Sequence, residues 1–187
     1  FRWKPAGNQS GNYSFTITVS DDLGESDSGT LNVEVSNTPG VRDLPSSHHF
    51  GDFDGDERAD LGVFRPLDGV WYTQTLGSTS LSSTQWGLPG DIPVPQDYDG
   101  DHITDMAVFR PSTNYWYILY SGTGSSSYYS YGLSGDIPAP ADYDGDGRAD
   151  LGVFRPSLGV FLYLKSTTSS TATTTVGQAG DLPVPCD

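Results

Sequence analysis

The feature that most constrains the fold of this chain is an aspartate-rich stretch that recurs at a fixed spacing. Its copies span residues 51–66, 96–111 and 141–156, so equivalent residues are 45 positions apart. Each copy carries aspartate at positions 1, 3, 5 and 9 of a nine-residue loop, glycine at position 4, and a short apolar run directly after the loop. Short β units that repeat every ~20–50 residues indicate a β-propeller or a β-solenoid.

The four aspartates of each loop have a spacing that suits a calcium ion, which takes about 6–8 oxygen ligands in loose geometry. Side chains at positions 1, 3, 5 and 9 and the backbone carbonyl of position 7 can surround one ion. An acidic, solvated turn is the alternative, because Asp and Gly also dominate ordinary turns. Position 6 varies among the copies while the aspartates do not, which favours calcium. The predicted ligands are Asp52, Asp54, Asp56, Arg58 and Asp60 in the first loop; Asp97, Asp99, Asp101, Ile103 and Asp105 in the second; and Asp142, Asp144, Asp146, Arg148 and Asp150 in the third.

The charge of the chain narrows the classes of partner. The formal net charge is −15 and the sequence pI is about 4.1. Nucleic acids and anionic membranes are bound through basic patches, so neither is predicted as a partner. No run of about 18 apolar residues is present, and no membrane insertion is predicted. Cys186 is the single cysteine, so the chain cannot form an internal disulfide.

Each 45-residue unit follows the same plan of short strands. In the first unit a strand at residues 61–64 follows the loop and ends at Arg-Pro, because proline cannot donate to a β ladder. A turn, an aromatic strand at residues 70–72, a Ser/Thr/Gly tract and a third strand come next. Residues 90–95 are predicted to close the unit as an edge-like fourth strand. No segment has a 3.6-residue period, so the chain is predicted to be all-β.

The first 40 residues differ from the repeats. Apolar residues alternate with Ser and Thr over residues 13–19 and again over residues 31–35, which predicts two strands of a hairpin. Residues 20–29 read as the turn between them, and residues 1–5 as an additional short strand. Residues 38–40 read as a linker. The sequence therefore predicts two domains, residues 1–40 and residues 41–187.

Both predicted domains resemble known families. The segments FRWKPAG, GNYSFTITVSDDLG and SGTLNVEVSNTP resemble the C-terminal half of bacterial cadherin-like or immunoglobulin (Ig)-like modules. The loops of pattern D-[FY]-D-G-D-x-x-x-D, with [LM]-[GA]-V-F-R-P and G-D-[IL]-P-[VA]-P, resemble FG-GAP/VCBS repeats. This second resemblance implies propeller-like blades whose loops bind calcium, with loops at residues 52–60, 97–105 and 142–150. Asp187 reads as the start of a fourth repeat.

Other recurring side chains have two possible roles. Five aromatic residues could pack between blades or form a sugar-binding platform: Trp71, Trp86, Trp116, Tyr117 and Tyr131. Arg65, Arg110 and Arg155 recur with the same period as Asp91, Asp136 and Asp181, which predicts a repeated Arg–carboxylate clasp. His48 and His49 read as part of a surface loop. Catalytic sites are rarely triplicated, and no zinc or nucleophile motif is present, so the chain is not predicted to be an enzyme.

The sequence therefore predicts an extracellular or cell-surface, calcium-binding, structural or adhesive protein, a building block of a bacterial surface fibre or stalk. A lectin-like carbohydrate-binding module, or an accessory domain of a secreted polysaccharide-degrading enzyme, is the alternative. The predicted partners are other copies of the chain, joined through open β edges into a filament or oligomer. Carbohydrate is a second candidate partner. Residues 78–84 and 166–175, Asn8 and Asn12 are candidate glycosylation sites. Plain flexible hairpin tips are the alternative for the two Ser/Thr tracts.

Overall fold

A computed structural model describes residues 11–20, 26–35 and 51–185 of the chain. The chain divides into two compact units, Phe1–Ser46 and Ser47–Asp187. Strands are the only regular secondary structure in the described ranges, as the sequence predicts. No helix among those residues is long and apolar enough to cross a membrane. The predicted strand at residues 1–5, the linker, the two histidines, Cys186, Asp187 and the predicted domain boundary lie outside the described residues.

The first unit contains an antiparallel hairpin. Strand β1 spans Gly11–Ser20 and β2 spans Ser26–Val35, with Tyr13 opposite Val33 and Thr18 opposite Ser28. The second strand therefore begins inside the segment that the sequence predicts as a turn. Residues 26–30 contain no proline, so nothing in them prevents the ladder of β1 from continuing.

The second unit contains three antiparallel sheets in chain order. The first sheet consists of β3 (Leu61–Arg65), β4 (Val70–Gln74) and β5 (Ser82–Gln85). The second consists of β6 (Ile92–Pro93), β7 (Met106–Arg110), β8 (Tyr115–Leu119) and β9 (Ser126–Ser130). The third consists of β10 (Ile137–Pro138), β11 (Leu151–Arg155), β12 (Val160–Leu164) and β13 (Thr171–Thr175). A closed ring of blades is not observed in the described part of the chain, and the propeller remains a prediction.

One part of the predicted unit is wrong: the Gly-Asp-x-Pro-x-Pro segment does not close its own unit. Its Ile-Pro pair forms the edge strand of the following sheet, where Ile92 lies opposite Phe109 and Ile137 lies opposite Phe154. The segment keeps the edge position that its prolines require. Because the segment comes before the acidic loop and β7 after it, each complete sheet joins residues from two successive sequence units.

Aromatic pairs hold the hairpin of each sheet together. Phe64 faces Trp71 and Phe109 faces Trp116, each with ring centroids 5.2 Å apart, and Phe154 faces Phe161 at 5.0 Å. Tilted pairs at this distance are favourable beyond the area they bury. The main core lies where the second and third sheets meet, and it includes Trp116, Ile118 and Val153, each at most 1% exposed.

Neighbouring sheets are joined through their acidic loops. The backbone N–H of Thr104 donates to the carbonyl of Asp52 at 2.6 Å, and that of Ala149 donates to the carbonyl of Asp97 at 2.7 Å. The two bonds are related by the 45-residue period and join position 8 of one loop to position 1 of the loop before it. The three loops therefore form one continuous hydrogen-bonded stack.

The Ser/Thr tracts are more ordered than loose hairpin tips. Strand β5 lies largely within the tract at residues 78–84, and β13 lies within the tract at residues 166–175. Their hydroxyl side chains alternate between the two faces of a sheet instead of forming one flexible segment. Glycosylation of these tracts stays a prediction.

Candidate metal sites

Each acidic loop is closed at its base by a backbone hydrogen bond. The N–H of the position 9 aspartate donates to the carbonyl of the residue before position 1, at 2.8 Å from Asp60 to Gly51, 2.8 Å from Asp105 to Gln96 and 2.9 Å from Asp150 to Ala141. The closure fixes nine residues in a tight ring. Their carboxylates must then share a small volume.

The position 1 aspartate organises the interior of each loop. In the second loop, the Oδ1 atom of Asp97 accepts the N–H of Gly100 at 2.6 Å, and its Oδ2 atom accepts the N–H of His102 at 2.8 Å. Asp52 and Asp142 accept the equivalent two amides in their own loops. Both carboxylate oxygens of position 1 are therefore held in one orientation.

The two amides reach that carboxylate because positions 4 and 6 both adopt left-handed backbone conformations. Position 4 is always glycine, with φ between 76° and 82°. Position 6 is Glu57 (φ 68°), His102 (φ 69°) or Gly147 (φ 88°). Position 6 varies in sequence but is constrained in conformation. The sequence indicates this left-handed conformation only through Gly147 of the third loop. Residues with a side chain adopt it at a cost of about 1 kcal/mol.

Three carboxylates meet in each loop. One oxygen from each aspartate lies within 4.8 Å of the other two in three clusters: Asp52, Asp54 and Asp60; Asp97, Asp99 and Asp101; and Asp142, Asp144 and Asp146. Two oxygens that bind one calcium at about 2.4 Å can be at most about 4.8 Å apart. Each of the three clusters therefore has a geometry that fits one calcium ion.

Several buried carboxylate oxygens have no hydrogen-bond partner. They are Oδ1 of Asp60, Oδ1 of Asp144 and Oδ2 of Asp150. A buried polar atom without a partner destabilises a fold by about 1–3 kcal/mol. Oxygens of this kind, next to other carboxylates in the same loop, are the chemistry that a divalent cation would satisfy.

The proton affinities of the loop carboxylates reflect the same crowding. Burial raises the pKa of Asp60, Asp99 and Asp150, and neighbouring aspartates of the same loop raise each further. Burial also raises the pKa of Asp105 to about 6, although the N–H groups of Ser121 and Tyr98 oppose the shift. Without a cation, these carboxylates are therefore held in an environment that disfavours their charge.

The remaining predicted ligands lie outside the clusters. Asp56 occupies position 5 of the first loop and accepts the N–H of Arg58 at 2.9 Å. Asp105 and Asp150, at position 9, accept the amides of Ser121 and Ser166, each at 2.8 Å. These two aspartates bind their loops to the hairpins that follow. Their roles as ligands, and those of the carbonyls of Arg58, Ile103 and Arg148, stay predictions.

The predicted Arg–carboxylate clasp is present in the two complete sheets. The guanidinium of Arg110 donates Nε–H to Oδ1 of Asp91 at 2.8 Å and Nη2–H to Oδ2 at 2.9 Å. Arg155 forms the same bidentate pair with Asp136, at 2.8 Å for both bonds. Each aspartate side chain is 1% exposed and each arginine side chain 20%. Each clasp fastens an edge strand segment to the strand after the loop.

The aromatic residues proposed as a sugar platform do not form one surface. Trp71 is 3% exposed and Trp116 is 0% exposed, and their indole N–H groups donate to the carbonyls of Trp86 and Tyr131. The Trp86 indole N–H donates across the junction to the carbonyl of Tyr117 at 3.2 Å. Their part is packing within and between sheets, so a platform built on the two buried tryptophans is excluded.

Comparisons with known proteins identify two segments of the chain. Residues 97–153 match the family model of the FG-GAP-like repeat, and residues 1–34 match that of the bacterial Ig domain. No curated protein and no solved structure gives a significant match. The matched repeat segment runs from the second acidic loop into the strand that follows the third. The predicted resemblance to a bacterial Ig-like module and to FG-GAP repeats is therefore confirmed for these two segments.

Proposed function

We propose that this chain is an extracellular calcium-binding repeat protein with a structural or adhesive role, a building block of a bacterial surface fibre or stalk. The observation that carries the proposal is the stack of three acidic loops. Each loop gathers three aspartate oxygens within 4.8 Å, and backbone hydrogen bonds connect successive loops. The two matched families, a repeat and an Ig domain, support an extracellular, non-catalytic role.

Calcium would act as part of the fold. In each loop the position 1 aspartate and two of its neighbours would hold the ion, which would supply the positive charge that crowded carboxylates require. The ion would stabilise the loop, and through the loop-to-loop hydrogen bonds it would stabilise the junction between sheets. Binding only to the folded state raises stability by mass action, by about 2.7 kcal/mol at a concentration 100 times the Kd of one site.

Calcium titration of the metal-free protein tests the proposal directly. We expect isothermal calorimetry to give three calcium ions per chain, and chelator to lower the melting temperature by more than about 10 °C, since about 1 kcal/mol shifts a domain of this size by roughly 2–4 °C. Magnesium at equal concentration serves as the control, because it demands a stricter octahedron. Absence of calcium uptake and of any change in melting temperature would refute the calcium-dependent fold.

We also propose that the chain associates with other copies of itself through a repeat end. Residues 180–185 repeat the segments that provide β6 and β10, yet Leu182 is 76% exposed whereas Ile137 in β10 is half-buried. Asp181 accepts the N–H of Gln178 as Asp136 accepts that of Leu133. Asp136 binds Arg155, whereas Asp181 has no arginine within ion-pair distance among the described residues. In this proposal, residues 180–185 of one copy would pair with an open strand edge of a second copy.

A further inference from the structure

A cavity of about 200 Å³ lies at the junction of the second and third sheets, beside the second acidic loop. Its lining includes the apolar residues Ile118, Leu151 and Leu164. Three tyrosines and two serines also line it: Tyr98, Tyr120, Tyr129, Ser166 and Ser169. Drug-sized ligands occupy cavities of about 300–1,000 Å³, so this one has room for a single small ring.

The charge of the cavity opposes that of the chain. Arg148 and Lys165 both line it, and Asp99 is its one acidic residue, so the lining carries a net charge of about +1 in a chain of −15. Burial raises the pKa of Asp99 and the nearby charge of Arg148 opposes that shift, so Arg148 has an acidic partner in the lining. Lys165 forms no salt bridge with any residue that the structure describes, so two cations face one carboxylate. Their placement together favours an anionic ligand.

One residue of the cavity lining, Ser169, has a strained backbone conformation. Ser169 lines the cavity and has φ 53°, although it is not glycine. The turn that contains it is closed by the Ser169 N–H, which donates to the carbonyl of Lys165 at 2.9 Å. The equivalent turn of the preceding repeat, closed between Gly124 and Tyr120, has glycine at that place. Strained backbone that persists with a polar side chain is typical of functional sites.

The preceding junction gives an internal comparison. One repeat earlier, the positions of Arg148, Lys165, Ser169 and Tyr129 hold Ile103, Tyr120, Gly124 and Thr84. The strand register is the same in both places, because Tyr129 lies opposite Trp116 and Thr84 lies opposite Trp71. The tryptophan opposite this position, Trp71 or Trp116, is the same at both junctions. The two cations are therefore specific to the second junction.

We propose that this cavity binds one acidic sugar ring, a hexuronate residue of a polysaccharide, at the junction of the second and third sheets. Arg148 and Lys165 bind the carboxylate, and Ser169 hydrogen-bonds a ring hydroxyl. Ser166, whose hydroxyl donates to Oδ2 of Asp146, accepts a hydrogen bond from a second ring hydroxyl. The Tyr129 side chain, 42% exposed at the cavity wall, packs against the apolar face of the ring. The cavity shares Asp99 with the second acidic loop, so the calcium concentration is held constant in the test.

The test compares methyl β-D-glucuronide with methyl β-D-glucoside, which differ only in the carboxylate. Both are titrated by NMR into the full chain at a fixed calcium concentration. We expect the glucuronide to bind with a Kd on the order of 1 mM, as its size allows, and the glucoside to bind at least tenfold more weakly. Equal binding of the two glycosides, or no binding at about 20 mM, would overturn the proposal, as would competition by inorganic sulfate at the same affinity.

Matched variants locate the site. Lys165→Tyr introduces the residue that the preceding repeat carries, and we expect it to weaken glucuronide binding at least tenfold. Arg65→Gln removes an about half-exposed cation of the first sheet that lies outside both the cavity and the acidic loops, and it is expected to leave binding unchanged. Melting temperatures establish that both variants fold, and Lys165→Gln serves in place of Lys165→Tyr if that variant does not. Unchanged binding in the folded Lys165 variant contradicts the assignment.

Discussion

At the scale of single residues, the acidic loops use each aspartate for a different task. Position 1 orients two loop amides, as Asp97 does for Gly100 and His102. Position 9 closes the loop and fastens it to the next hairpin, as Asp105 does with Ser121. The remaining carboxylate oxygens lie close together, and some of them have no hydrogen-bond donor. The same side chains therefore build the loop and leave it with an excess of negative charge.

Asp144 separates the metal role from the structural one. Its Oδ1 atom is buried without a partner, and its Oδ2 atom accepts the Thr167 hydroxyl. In Asp144→Asn we expect calorimetry to detect two calcium ions instead of three. In the absence of calcium, denaturant unfolding should give equal or higher stability, by up to about 1 kcal/mol, because a charge beside Asp142 and Asp146 is removed.

Asp68→Asn is the matched control, since Asp68 is exposed, lies outside the loops and pairs with Arg65 at 3.5 Å. It should change neither the number of calcium ions nor the stability appreciably. An Asp144→Asn protein that still binds three ions and is clearly less stable without calcium would assign Asp144 a purely structural role.

The raised pKa of Asp105 predicts that the stability of the metal-free protein depends on pH. Burial raises its pKa to about 6 from 3.8, so between about pH 4 and pH 6 the folded state binds more protons than the unfolded state. Stability from this group is therefore highest below about pH 4 and is lost as pH rises through 6. Carboxyl ¹³C NMR of the metal-free protein should show a midpoint near pH 6.

If Asp105 is also a ligand, calcium saturation should lower that midpoint by more than a unit, because a nearby cation favours the carboxylate. A midpoint that calcium leaves unchanged would restrict Asp105 to closing the loop.

The clustering of aspartates in each loop was predictable from the sequence, because three copies keep the same aspartates while their neighbours change. The left-handed conformation at position 6 was not, because glutamate and histidine occupy it in two of three loops. The grouping within each loop was not predictable either. Asp60 joins the first cluster from position 9, whereas the second and third clusters use position 5, and this choice depends on side-chain rotamers that spacing does not encode.

At the scale of strands, sequence pattern located the elements but not all of their partners. The run after each loop, the aromatic strand and the Arg-Pro stop gave β3, β7 and β11 and the strands that follow them. The edge segments could not be assigned from periodicity. Asp91 lies between Arg65 and Arg110 in sequence, and a 45-residue period allows a clasp with either arginine. In the structure, Asp91 pairs with Arg110, which lies 19 residues away in sequence.

The clasp gives a prediction with an internal control. Arg155→Ala leaves the buried carboxylate of Asp136 without its cation, and we expect it to lower the free energy of unfolding by about 3 kcal/mol, since a broken buried ion pair costs about 3–5 kcal/mol. Arg65→Ala removes the equivalent side chain of the first sheet. Its ion pair with Asp68 is about half-exposed, so the expected loss is at most about 1 kcal/mol.

Urea unfolding of both variants in saturating calcium measures the difference. Equal losses in the two proteins would mean that Asp136 finds other donors when the guanidinium is absent.

At the scale of the whole molecule, stability and association depend on how repeats meet. In repeat proteins each unit interacts with its neighbours, and total stability is approximately the sum of unit and interface contributions. Here the interface has three parts: the bond between loops, the clasp with its edge strand, and the tryptophan N–H that reaches the next sheet. If residues 180–185 formed the edge strand of a sheet in a second copy, they would make the same three kinds of contact.

Association through that segment predicts a mass that depends on concentration. With calcium present, we expect light scattering to show species larger than one chain at concentrations on the order of 100 µM, typical of a weak interface. Leu182→Asp should abolish them, because it puts a charge on the strand that must pair. Leu67→Asp is the control, since Leu67 is 86% exposed in the turn between β3 and β4. A wild-type protein that stays monomeric throughout would refute the self-association proposal.

The edge strand that each sequence unit contributes to the following sheet also determines how the chain would respond to being pulled. In an array of separate beads, a stretching force acts on the linkers, and the beads rotate until the linkers are straight. Here the segment between two sheets is itself a strand of the second sheet, fastened by a buried ion pair and passing directly into a loop bonded to its predecessor. A force along the chain would therefore load these bonds in shear from the outset, so the array would resist stretching at its junctions instead of first extending as a flexible tether.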